Sequence, residues 1–143
     1  MKTIVAIFHT ILITVGLGYL PYAQAVVPAR DGGNTAEGAS ALFSLTTGSY
    51  NTAVGFFSLR SNTIGSFNTA TGAGALFLTS GNNPNTATAN TATGAVALLS
   101  NTTGFNNTAT GFQALASNST SDHNTADGNT ALLSNTTWLR QYR

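Results

Sequence analysis

A chain of 143 residues with 6% charged residues and no cysteine has room for one domain, and disulfides and thiolate metal sites are excluded. Lys and Arg number 5 against 4 Asp and Glu, too even a balance to attract nucleic acid or anionic lipid. Polarity comes instead from Asn, Thr and Ser.

The first predicted element is a signal-peptide helix over residues 1–25. Lys2 supplies the positive start, Ile4 to Leu20 is largely apolar, and Ala23-Gln24-Ala25 fits the small-x-small cleavage rule, so the mature chain is expected to begin at Val26. The apolar stretch of about 17 residues is near the lower limit for a membrane span and no basic stop-transfer cluster follows it. No span is expected in the mature chain. Arg30, Arg60, Arg140 and Arg143 then face Asp31, Glu37, Asp122 and Asp127, and the mature chain is formally neutral.

After a linker over 26–33, Asn-Thr-Ala recurs at Asn34, Asn51, Asn68, Asn90, Asn107 and Asn124, spaced 17, 17, 22, 17 and 17 residues. The repeats are 34–50, 51–67, 68–89, 90–106, 107–123 and 124–137. An additional Asn85-Thr86-Ala87 accounts for the long step and reads as a five-residue duplication over Asn85 to Ala89. That duplication is expected to bulge outwards, where added residues disturb no stacking. The aligned unit is N-T-A-x-G-x-x-A-L-x-S-N-T-T-G-x-x. Self-similarity at a fixed period signals a solenoid.

The columns of the unit have separate physical meanings. Column five is glycine in all six copies, Gly38, Gly55, Gly72, Gly94, Gly111 and Gly128, which marks a corner or a close backbone approach. Column nine is leucine throughout, and column eight is alanine except at Ser58; such side chains suit a narrow interior. Gly48, Gly65 and Gly104 form a second glycine column. The nine residues between the two glycine columns include Ser-Asn-Thr-Thr, a poor and short helix. As a strand, Asn-Thr-Ala-x-Gly puts threonine and column four on one face and alanine on the other, here the inner one. Stacked about 4.8 Å apart, the asparagines would form an amide ladder, a folding role rather than a binding one. The predicted fold is an all-β parallel β-solenoid or β-roll, six coils making a rod of roughly 30 Å.

Asn51-Thr52-Ala53-Val54-Gly55 and the run Asn101 to Gly111 resemble YadA-like head repeats of bacterial trimeric autotransporter adhesins. The resemblance covers about residues 34–137 and implies a homotrimeric β-roll, exported to the cell surface (outer membrane-associated) or the extracellular space, that binds host, matrix or cell-surface ligands. That family's commonest repeat is shorter than 17 residues, so register does not transfer. Its stalk and membrane barrel have no counterpart in Trp138-Leu139-Arg140-Gln141-Tyr142-Arg143. This divergent tail, 138–143, reads as an end cap or as the remnant of a longer gene, with truncation favoured.

Chemistry has few candidates. His123, flanked by Asp122 and followed by Asp127, is the one acid/base or metal cluster, and its members occupy variable columns, where solvated residues are expected. No catalytic, cofactor-binding or metal residue is expected, nor an enzyme. Thr69/Thr71, Thr91/Thr93 and Thr108/Thr110 would stack as a threonine grid, the surface of ice-binding solenoids. Glu37, Val54 and Asp127 interrupt it, so a self-capped secreted solenoid of that kind is the alternative reading. Tyr50, Phe56, Phe57, Phe67, Phe105 and Phe112 exceed what a thin rod can bury and argue for an oligomer face or an adhesive patch.

Overall fold

The computed structural model describes residues 32–79 and 87–136. The predicted signal peptide, most of the linker and the tail 138–143 lie outside the described residues. In each repeat the strand starts one residue after the ladder asparagine. The strands are β1 (Thr35–Glu37), β2 (Thr52–Val54), β3 (Thr69–Thr71), β4 (Thr91–Thr93), β5 (Thr108–Thr110) and β6 (Thr125–Asp127). They form one parallel sheet in chain order. Threonine pairs with threonine and alanine with alanine from end to end, through Thr52↔Thr69, Thr69↔Thr91 and Thr91↔Thr108. The chain is thus the expected all-β parallel solenoid, with no helix among the described residues.

Only three residues per coil are strand, so the remaining backbone groups must be satisfied by turns within the coil, such as Asn62 N–H to Leu59 O, and by the coils above and below. Each wall of the stack supplies such bonds. Gly55 N–H donates to Glu37 O at 2.7 Å, Leu59 N–H to Ala75 O at 3.0 Å, Thr46 N–H to Thr63 O at 2.8 Å and Phe67 N–H to Ser49 O at 3.0 Å. A coil by itself would leave these groups unpaired. Stacking is therefore what makes the coil fold.

The interior is as narrow as the small residues imply. Ala53, Ala70, Ala92, Ala109 and Ala126 point inward with no exposure, as do Ala75, Ala97 and Ala114 of column eight. Leu59, Leu76, Leu98 and Leu115 are equally buried. Ser58, standing for alanine in its coil, is buried with its hydroxyl donating to Gly55 O at 3.0 Å.

The corners differ from a simple glycine reading. Column five does lie at positive φ, between 126° and 135°. However, the leucine column is left-handed too, with φ from 48° to 51° in all six copies, and so is column seventeen, with Tyr50 at 58° and Phe67 at 59°. A left-handed L-residue costs roughly 1–2 kcal/mol, while burying a leucine side chain returns about 1.5–3 kcal/mol. Burial and the inter-coil hydrogen bonds outweigh the backbone cost at the leucines. Gly48, Gly65 and Gly104 are not left-handed. They are glycine for space: a Cβ at Gly104 would meet Asn101 Oδ1 and lie 2.5 Å from Ser121 O.

The insertion is placed differently from the expected bulge over Asn85–Ala89. Ala87 is buried, its carbonyl accepts from Asn68 Nδ2, and Ala89 N–H donates to Ser66 O at 3.0 Å. Ala87 to Ala89 therefore occupy columns fifteen to seventeen of the third coil. The five surplus residues fall between Thr79 and Ala87, where seven residues replace two; residues 80–86 lie outside those described. The carbonyl that Asn68 needs at column fifteen decides the alignment, and repeated Asn-Thr-Ala text does not.

Candidate functional site

Because alanine faces inward, strand alternation turns columns two and four outward. In β3, β4 and β5 both flanking threonines are exposed around a buried alanine. The register sets Thr69, Thr91 and Thr108 in one rank and Thr71, Thr93 and Thr110 in a second. Thr35, Thr52 and Thr125 extend the first rank, while Glu37, Val54 and Asp127 stand in the second. The hydroxyls of Thr46, Thr102 and Thr130, which bond to backbone carbonyls, lie elsewhere. Among the described residues the hydroxyls of the double rank make no such bond.

The asparagines are structural. Asn68 Nδ2 donates to Asn51 Oδ1 at 3.1 Å and to Ala87 O at 2.8 Å, and Asn68 Oδ1 accepts from the backbone N–H of Asn90 at 3.0 Å. The same pattern links Asn107 to Asn124. A single further rung lies in column twelve, where Asn118 Nδ2 donates to Asn101 Oδ1 at 3.1 Å and to Ser121 O at 3.0 Å. These side chains are buried and closed to ligands.

Aromatic side chains form the other surface feature. Tyr50, Phe56, Phe67 and Phe112 are exposed as expected, and so is Phe43; Phe57 and Phe105 are half-buried instead. Tyr50 and Phe67 stack at 5.2 Å, and Phe56 and Phe57 at 3.8 Å. Sequence reasoning missed the cluster at Arg60. Phe43, Arg60 and Phe77 share column ten, and the guanidinium lies 5.7 Å from the Phe43 ring, 5.8 Å from Phe77 and 5.0 Å from Phe57. Arg60 is the one Lys or Arg among the described residues, and this cation–π setting takes the place of an acidic partner. The 17-residue spacing of its column was the available signal.

His123, Asp122 and Asp127 do not converge. The His123 ring meets Phe105 edge-on at 5.2 Å and its Nε2 lies 3.2 Å from Asn106 Nδ2. Asp122 Oδ1 accepts from the Phe105 N–H at 2.9 Å, and Asp127 ends β6. No group of three or more His, Asp or Glu that could hold a metal occurs among the described residues. Nor is any described helix long and apolar enough to cross a membrane.

No family model, curated protein or solved structure matches the chain. Its function must therefore be argued from the solenoid's own surfaces.

Proposed function

We propose that this chain is an exported, non-enzymatic module of the cell surface, structural or adhesive, that works as a homotrimer. The observation carrying this reading is the exposed aromatic set. Phe43, Tyr50, Phe56, Phe67 and Phe112 are each more than half exposed on a rod whose interior holds only alanine, leucine and asparagine-sized groups. Apolar area of this kind on a soluble protein marks an interaction surface. Three chains side by side would cover these columns, and the resulting rod would present a stiff, nearly uncharged surface to a host, matrix or cell-surface ligand. The likeness of Asn51 to Gly55 to YadA-like head repeats supports the same assembly, and the Ala23-Gln24-Ala25 site supports export.

Light scattering at micromolar concentration tests the assembly. A mass three times that of the mature chain is expected, falling to the monomer in a Phe56→Ser/Phe67→Ser variant. A reversible monomer in the unaltered protein overturns the trimer. Export has its own readout: N-terminal sequencing of secreted material should begin Val26-Val27-Pro28, and an intact Met1 on extracellular protein would refute cleavage.

A further inference from the structure

We infer that the outward face of β3–β5 is a binding site for an ordered water lattice, that is, for ice. The inference goes beyond the trimer: it concerns the exposed side chains of columns two and four, whereas the exposed aromatics stand in columns six, ten and seventeen. It begins with register. Unbroken Thr–Thr and Ala–Ala pairing from β3 through β5 makes the exposed threonines a two-dimensional array rather than a scatter. Successive rungs repeat at about 4.8 Å, and the two ranks stand about 6.7 Å apart, twice the rise of a strand residue. Those repeats are close to the oxygen spacings on a face of hexagonal ice, so one array can meet many lattice sites at once.

The chemistry fits as well as the spacing. Each threonine offers a methyl group beside a hydroxyl that donates once and accepts twice. The methyl orders the water next to it, and the hydroxyl hydrogen-bonds that water. A β-branched side chain is stiff at χ1, and in this array it is anchored by a fully buried alanine on the same strand. Little conformational entropy is lost when a lattice forms on it. The hydroxyls of Thr69, Thr71, Thr91, Thr93, Thr108 and Thr110 make no bond within the described residues, and the ranks of β2–β5 carry no charge. A neutral lattice meets a neutral face.

The same geometry shows where the site ends. In the second rank Val54 of β2 lacks the hydroxyl, and Glu37 of β1 and Asp127 of β6 hold their own hydration shells. The double rank is confined to three strands although the first rank runs over all six. A small patch should shape ice crystals and arrest them over only a narrow temperature interval, and filling the second rank should widen it.

The test uses the mature chain, fluorescently labelled, with growing ice as the probe. Incorporation into the crystal, a faceted habit and a gap between melting and freezing temperatures are expected. Thr93→Lys, folded by circular dichroism, should lose all three. The triple variant Glu37→Thr/Val54→Thr/Asp127→Thr should widen the gap beyond that of the unaltered chain. Exclusion of both the unaltered chain and the folded triple variant from ice overturns the inference, as does full activity in Thr93→Lys. If Thr93→Lys instead lowers the mass seen by light scattering, the array is an interface between copies and the ice site is refuted.

Discussion

A buried asparagine is ordinarily a liability, because its amide leaves water with four hydrogen-bonding positions to fill. Here periodicity fills the column-one asparagines inside the stack. The amide nitrogen of Asn68 reaches the oxygen of Asn51 and the carbonyl of Ala87, while its own oxygen takes the backbone N–H and side-chain amide of Asn90. The side-chain to side-chain bonds stay within column one and need asparagine on both sides, while the second acceptor is a column-fifteen carbonyl. Asn68→Ala should cost roughly 3–5 kcal/mol, because several buried groups are orphaned at about 1–3 kcal/mol each. Asn68→Asp should cost at least as much, since a carboxylate cannot donate to Ala87 O or Asn51 Oδ1. Urea denaturation of the two variants measures both. A loss below about 1 kcal/mol for Asn68→Ala would show that water replaces the ladder.

At the scale of the coil, glycine performs two different tasks. Gly94 sits at φ 131°, and a Cβ there would lie 2.5 Å from Gly111 O. Gly104 is needed only for space, and the same column holds Ala87 in the third coil and Ser121 in the fifth, both buried. A small side chain is therefore accommodated at column fifteen, by a left-handed backbone at Ala87, φ 54°, and without one at Ser121. Column five has no such exception. Gly94→Ala should therefore be the more damaging change, by roughly 2 kcal/mol or more from backbone conformation and clash together, whereas Gly104→Ala should remain folded with a smaller loss. Thermal unfolding followed by circular dichroism compares them, and equal losses would contradict this division of roles.

The whole molecule is close to one-dimensional: each strand pairs only with the strands of adjacent repeats. Stability in such arrays is a sum over coils and their interfaces, so an irregularity is tolerated where it does not interrupt a ladder. Between Thr79 and Ala87 seven residues stand where other coils have two, yet the column-one ladder keeps its carbonyl at Ala87; the cost is in column twelve, where the hydroxyl of Thr79 is buried without a partner among the described residues. Replacing residues 80–86 with Thr-Thr would restore the 17-residue period. The expected result is an unchanged fold with stability raised by about 1 kcal/mol, the difference in closure entropy between the two loop lengths. Unfolding of the shortened chain would mean that the surplus residues contribute contacts of their own. At the end of the stack Asn124 Oδ1 is buried with no partner among the described residues. The next position in its register is residue 141, beyond those described.

The period, the inward alanines and leucines, the outward threonines and the asparagine ladder were all legible in the sequence. Each follows from repeating one unit at constant spacing: stacking in register converts a column of text into a column of contacts. Three features were decided only by tertiary structure. Leucine occupies a left-handed corner because its burial and the inter-coil hydrogen bonds outweigh the local backbone cost, and no local preference announces that. The surplus residues fall before Ala87 rather than over Asn85–Ala89 because Asn68 requires a carbonyl at column fifteen. The guanidinium of Arg60 rests among Phe43, Phe57 and Phe77 because stacking brings together side chains that one isolated coil would hold apart. Position along the chain sets what repeats; closure of each coil and its contacts with the next coils set what each repeated residue meets.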